Sequence, residues 1–170
     1  MKLVAPLVSG LVLLVVAGTS RVDAQQLPPT DLVAVDEFID APLALFGRTR
    51  PAVERTLGVP AAIRPRTLPG GRSAATDAVD ELAYPGVVIG VSRRSAAVRR
   101  VEITEPRWAL PRGLTIGVSR SVVEHVLGEP QAATDVSILY LYSDAYPETV
   151  EFYLRGDRVQ RIEWLYAPAD

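Results

Sequence analysis

A fifteen-residue pattern occurs twice in this chain, and it limits the available folds more than any other feature. Phe46-Gly47-Arg48-Thr49-Arg50-Pro51-Ala52-Val53-Glu54-Arg55-Thr56-Leu57-Gly58-Val59-Pro60 is followed 70 positions on by Ile116-Gly117-Val118-Ser119-Arg120-Ser121-Val122-Val123-Glu124-His125-Val126-Leu127-Gly128-Glu129-Pro130. Seven positions are identical: Gly47/Gly117, Arg50/Arg120, Val53/Val123, Glu54/Glu124, Leu57/Leu127, Gly58/Gly128 and Pro60/Pro130. Average composition would give about one match. A second echo lies at an offset of 61, where Val98-Arg99-Arg100-Val101-Glu102-Ile103 parallels Val159-Gln160-Arg161-Ile162-Glu163-Trp164. Such self-similarity is the mark of a chain built from two copies of one supersecondary unit.

Each first motif predicts a short helix. Thr49 or Ser119 can cap its start with a hydroxyl that accepts an orphan backbone N–H. Ser121 and Glu124 offer an alternative start, spaced as a capping box. Gly58 or Gly128 ends the helix, and the proline two residues on prevents continuation. Val53 and Leu57, like Val123 and Leu127, stand at i, i+4 and form one apolar stripe. Two turns of helix are marginal alone, so each needs a sheet to pack on.

Residues 138–142, 149–154 and 158–166 are rich in β-branched and aromatic side chains and predict three strands of the second unit. Residues 81–84, 87–92 and 97–103 predict three in the first. Arg155-Gly156-Asp157 reads as a hairpin turn in which glycine suits the bend, not as an adhesion tripeptide. Residues 30–46 predict an additional helix, residues 63–76 a Pro/Gly/Ser-rich loop, and 108–114 a linker. The expected fold is α+β: two tandem repeats, each a short helix on a three-stranded antiparallel sheet, with an extra N-terminal helix. The repeats would occupy 25–106 and 107–170, as one continuous sheet or two separate ones.

The N-terminus reads as an address. Met1-Lys2 gives a positive start, residues 3–17 an apolar run, and Val22 and Ala24 suit cleavage after Ala24. The run is shorter than the ~20 residues a spanning helix needs. Residues 1–24 are therefore expected to be a signal peptide, with no membrane span after its removal. No cysteine follows, which excludes a lipid anchor. The chain is expected to work in the periplasm or to be secreted.

Composition then removes functions. A net charge of −2 argues against a nucleic-acid partner. No cysteine and one histidine, His125, exclude thiol catalysis and any single-chain site needing cysteine or several histidines. No metal and no cofactor are expected. Gly70-Gly71 lacks the lysine of a phosphate loop, and Asp77, Asp80 and Glu81 lack the spacing of a calcium loop.

The pattern Gly47…Val53…Leu57-Gly58-Val59-Pro60 and Gly117…Val123…Leu127-Gly128-Glu129-Pro130, each ahead of a hairpin sheet, resembles the SmpA/OmlA (BamE-type) outer-membrane assembly domain. It is also similar to the tandem repeat of β-lactamase inhibitory proteins. The resemblance covers residues 46–166. It implies non-catalytic protein binding through open sheet faces. BamE-type proteins are usually single-unit lipoproteins, which this chain is not.

Strand alternation assigns faces. Val150, Phe152, Leu154, Ile162 and Trp164 are expected to point toward the helix. Tyr140, Tyr142, Glu151, Tyr153, Arg161 and Glu163 are expected on the open face, where aromatics with arginine suit a binding hot spot. The expected function is an exported, non-enzymatic module that docks an envelope or periplasmic protein on that face. No catalytic residue is assigned. The alternative is a small hydrolase of cell-wall fragments or another small ligand, using Glu102, Glu163 or His125.

Overall fold

The computed structural model describes residues 27–69, 76–142 and 148–168. The expected leader, Gly70-Gly71 and the connection 143–147 lie outside the described residues. The chain forms helices α1 (Leu32–Phe46) and α2 (Arg50–Leu57), then strands β1 (Ala62–Pro69), β2 (Thr76–Tyr84), β3 (Val87–Ser92) and β4 (Val98–Ile103). A 3-10 turn (Pro111–Gly113) precedes helix α3 (Arg120–Leu127) and strands β5 (Ala132–Ala133), β6 (Ser137–Leu141), β7 (Thr149–Arg155) and β8 (Arg158–Leu165).

The strands make one eight-stranded sheet in the order β1-β2-β3-β4-β8-β7-β6-β5, antiparallel throughout. This corrects the expected fold class. The molecule is mostly β, not two units each with a helix on a three-stranded sheet. Two physical causes account for the difference. First, β4 pairs with β8 over Arg100↔Leu165 to Ile103↔Ile162, so neither half ends in a free edge there. Second, residues 62–69 are not a loop. They pair with β2 along their whole length as an edge strand, where Pro65 and Pro69 are tolerated because one side of the strand needs no ladder.

Registers place two apolar rows on the helix side. Leu82, Ile89, Val101, Trp164, Val150 and Tyr140 are successive cross-strand partners, as are Tyr84, Val87, Ile103, Ile162, Phe152 and Ile138. All twelve are buried in one core with Phe38, Val53, Val123 and Leu127 of the helices. Burying rows of this kind is the main favourable term in folding.

Helix α1 is fastened by an unusual use of proline. Asp31 caps its start, accepting from Ala34 N at 3.0 Å. Pro42 has no N–H to give to the Phe38 carbonyl one turn back. That carbonyl instead accepts the indole Nε1–H of Trp164 at 3.0 Å. The next carbonyl, Ile39, accepts the Tyr166 hydroxyl at 2.9 Å. The Phe38 ring stacks on Phe152, with centroids at 5.4 Å, and lies tilted against Trp164 at 5.5 Å. The donors of the two large core aromatics are thus satisfied, which burial requires.

Candidate protein-docking face

The rows between the apolar ones form the opposite face of the sheet. One contains Glu102, Glu163 and Glu151 as successive partners across β4, β8 and β7. Neighbouring strands run about 4.8 Å apart, so three adjacent carboxylates repel unless cations lie among them. The sequence supplies those cations two residues before each of the first two glutamates, at Arg100 and Arg161.

Arg100 owes its position to a bulge. Gly90 pairs with Arg100 but Val91 pairs with Val98, which leaves Arg99 as an extra residue in β4. Arg99 and Arg100 both reach carboxylates of β2. Arg99 binds Asp77 at 2.6 Å and the Tyr166 carbonyl at 2.8 Å, and Ser92 donates to the other Asp77 oxygen at 3.1 Å. Burial pulls the Arg99 pKa down against the opposing pull of Asp77. Arg100 donates to Glu163 at 2.8 Å, to Glu81 at 3.0 Å and to Glu102. Its side chain is 3% exposed. Burial alone would lower its pKa, but hydrogen bonds and charges from Glu163 and Glu102 outweigh it and raise the value. Glu81 is bound in turn by Arg66 at 3.0 Å.

Arg161 stands in the corresponding place of β8, after the extra residue Gln160. Its guanidinium lies 3.7 Å over the Tyr153 ring and 3.6 Å from Glu102. The Tyr153 hydroxyl donates to Glu151 at 2.7 Å. Burial, and then the bond to Glu151, push the Tyr153 pKa up to about 12. Arg161 remains 38% exposed. Among the described residues no helix covers this face, because the core places all three helices on the other.

Glu151, Tyr153, Arg161 and Glu163 are therefore brought together on the open face. Tyr140 is not, and its expected place is corrected. It is 0% exposed on the helix side, where its hydroxyl donates to the Gly128 carbonyl at 2.9 Å. Burial pushes its pKa well up. Leu139 and Leu141 take the open face in its stead, since Leu139 pairs with Glu151 and Leu141 with Thr149. Tyr142 lies just beyond β6 and is exposed. Sequence reasoning missed Arg66, Glu81 and Arg100 as members of the network. The adjacent arginines at 99 and 100 were the available signal, since two charges in succession inside a strand break strict alternation.

Of the residues of the alternative hydrolase, Glu102 and Glu163 are cross-strand neighbours, and His125 is apart from them. His125 is exposed on α3, on the helix side of the sheet, while Glu102 and Glu163 are on the other face with their oxygens on guanidinium groups. Asp77, Asp80 and Glu81 are each bound by arginines instead of sharing a centre. Among the described residues no group of three His, Cys, Asp or Glu is placed to hold a metal, and no helix is long and apolar enough to cross a membrane.

No family model matches the chain, and no curated protein matches it in sequence. Solved structures do share its fold. One is an extracellular protein containing a SCP domain from Bacillus anthracis str. Ames, at 14% identity and a TM-score of 0.50 over 75% of this chain and 46% of that one. Another is a cysteine-rich secretory protein from Staphylococcus aureus subsp. aureus Mu50, at 12% identity and a TM-score of 0.51 over 83% of this chain and 47% of that one. This chain thus spans less than half the length of either neighbour, and it has no cysteine. These findings correct the BamE-type and β-lactamase-inhibitor resemblance, because the neighbours belong to a different fold group. The matched motif Gly…Leu-Gly-x-Pro specifies how a helix starts and stops, which different folds can use. Both neighbours are described as extracellular or secretory proteins.

Proposed function

We propose that this protein is an exported, non-enzymatic binding module of the bacterial cell envelope, acting in the periplasm or beyond it. It docks a protein partner on the open face of its sheet. The observation that carries this reading is the Arg161–Tyr153 stack, half-exposed beside Glu151 and Glu163 on a face that no described helix covers. Tyrosine and arginine are among the residue types enriched in binding hot spots. The surrounding charges of both signs give a partner its orientation more than its affinity. Glu102 and Glu163 hold arginines, which favours a structural and recognition role over acid–base chemistry.

The test is affinity capture from envelope extract with the parent and with a Tyr153→Ala/Arg161→Ala variant checked for folding by circular dichroism. A single protein retained by the parent and lost by the folded variant is the expected result. Equal retention by both would remove the open face from the reading. Turnover of a wall fragment that Glu163→Gln abolishes would replace binding with hydrolysis.

A further inference from the structure

The ends of α2 and α3 are built alike. Gly58 (φ 80°, ψ −155°) and Gly128 (φ 79°, ψ −158°) leave the two helices in one conformation, which a side chain would strain. Their N–H groups donate to the backbone carbonyls of Glu54 and Glu124 at 2.9 Å each. Their carbonyls accept hydroxyls from Tyr84 at 3.2 Å and Tyr140 at 2.9 Å. Each loop continues through one residue to a proline.

What lies over them differs. The segment before α1 runs across the Gly128 loop. Asp31 N donates to the Leu127 carbonyl at 2.9 Å, and Glu129 N donates to the Pro28 carbonyl at 2.9 Å. Thr30 Oγ1 donates to the Glu129 carbonyl at 2.5 Å. A Cβ on Gly128 would stand 2.2 Å from the Pro29 oxygen, while one on Gly58 would meet nothing within 4 Å. Among the described residues the Leu57 carbonyl and the Val59 N–H have no backbone partner outside the helix, and Val59 is 92% exposed.

The geometry points to a second docking site at residues 57–60, which takes an extended, proline-containing segment of another polypeptide. The chain itself shows the mode of binding, since residues 28–31 sit on the matching groups of the Gly128 loop. One carbonyl of the segment accepts from Val59 N, and the N–H three residues on donates to the Leu57 carbonyl. Proline holds such a segment extended before it binds, which lowers the ordering cost. Val59 stands where the covered loop has Glu129, so the residue facing it should be apolar. The occupant is not the strap of a second copy, because that strap is engaged on its own α3. The site is on the helix side of the sheet and does not depend on the open face.

The probe is a synthetic peptide, Gln26-Leu27-Pro28-Pro29-Thr30-Asp31-Leu32, added to the 15N-labelled protein. Amide signals of Leu57, Gly58, Val59 and Ala61 should shift and saturate with a dissociation constant on the order of a millimolar, as a few backbone hydrogen bonds allow. Methylating the peptide nitrogen of its aspartate should weaken binding at least about tenfold. Val59→Glu should still bind, and Val59→Pro, lacking the donor, should not. Absence of shifts at 57–61, or shifts confined to 127–131, would overturn the site. Shifts at Val59 that follow protein concentration without peptide would assign the loop to a second copy and overturn the foreign segment.

Discussion

Arg100 in β4 and Arg161 in β8 follow matching bulges, face the same side of one sheet and each precede a glutamate by two residues. Arg100 is buried against three carboxylates, whereas Arg161 rests on a tyrosine ring with one carboxylate at 3.6 Å. The residue paired across the strand makes the difference. Arg100 faces Gly90, and a Cβ there would stand 3.1 Å from the Arg100 Cβ. Arg161 faces Tyr153. With no side chain opposite, the first arginine lies flat and reaches β2 two strands away. With a ring opposite, the second is lifted toward solvent. One local pattern has thus produced a structural arginine in one half and an accessible one in the other.

The largest effect should come from removing the buried cation. Arg100→Met leaves Glu81, Glu102 and Glu163 without their shared guanidinium, and is expected to cost about 3–5 kcal/mol in urea unfolding at pH 7. A loss below about 1 kcal/mol would show that the arginine is no more than a surface ion pair.

The next tests whether glycine sets the difference. Gly90→Tyr gives Arg100 the partner that Arg161 has. It is expected to cost about 2 kcal/mol by overpacking and by driving Arg100 out of its carboxylates. Its effect should be strongly non-additive with Arg100→Met in a double-mutant cycle. Additive losses would mean that the glycine and the arginine act independently.

This half-to-half difference was only partly legible beforehand. Alternation in β7 and β8 put Glu151, Tyr153, Arg161 and Glu163 on one face because polar and apolar residues take turns there. In β6 the run Ile138-Leu139-Tyr140-Leu141 is apolar at every position, so its phase comes from pairing, Tyr140↔Val150, and not from the sequence. The β1 edge carries Pro65, Arg64 and Arg66, and its strand character depends on the partner β2. The β4–β8 seam joins residues 63 positions apart at Arg100 and Glu163, and no local signal encodes such a contact. The adjacent arginines at 99 and 100 mark a break in alternation but do not name Arg100 as a hub, since its ligands come from β2 and β8 as well as its own strand.

A third experiment follows the Tyr153 proton. Its folded-state pKa of about 12 exceeds the ordinary 10, so the folded state favours the neutral phenol. Its contribution to stability is fully present below pH 10 and is lost as pH rises toward 12. Absorbance titration should show several late-ionising tyrosines, of which Tyr153→Phe removes one near pH 12, and the variant should lose less stability over that window. At neutral pH, Tyr153→Phe should cost about 0.5–1 kcal/mol, the net worth of the bond to Glu151. A parent titration unchanged by Tyr153→Phe in this range would mean that ring and carboxylate are not held together in solution.

The smallest stability effect belongs to Arg161, and it is the most informative about function. Its stack on Tyr153 is partly solvated and its pairing with Glu102 is long, so Arg161→Met should cost only about 0.5 kcal/mol. A residue that contributes so little to its own fold, held over a ring on the open face, is free to contribute to a partner. Arg161→Met should therefore leave urea unfolding nearly unchanged while weakening capture of the partner at least about tenfold, the effect of losing a central arginine anchor. Arg100→Met should weaken capture only as far as it unfolds the sheet, so its loss should be recovered at lower temperature. If both variants lose capture in proportion to stability, the two arginines differ only in burial and the exposed one has no separate role. If Arg161→Met destabilises as much as Arg100→Met, the Gly90/Tyr153 exchange does not govern the two environments.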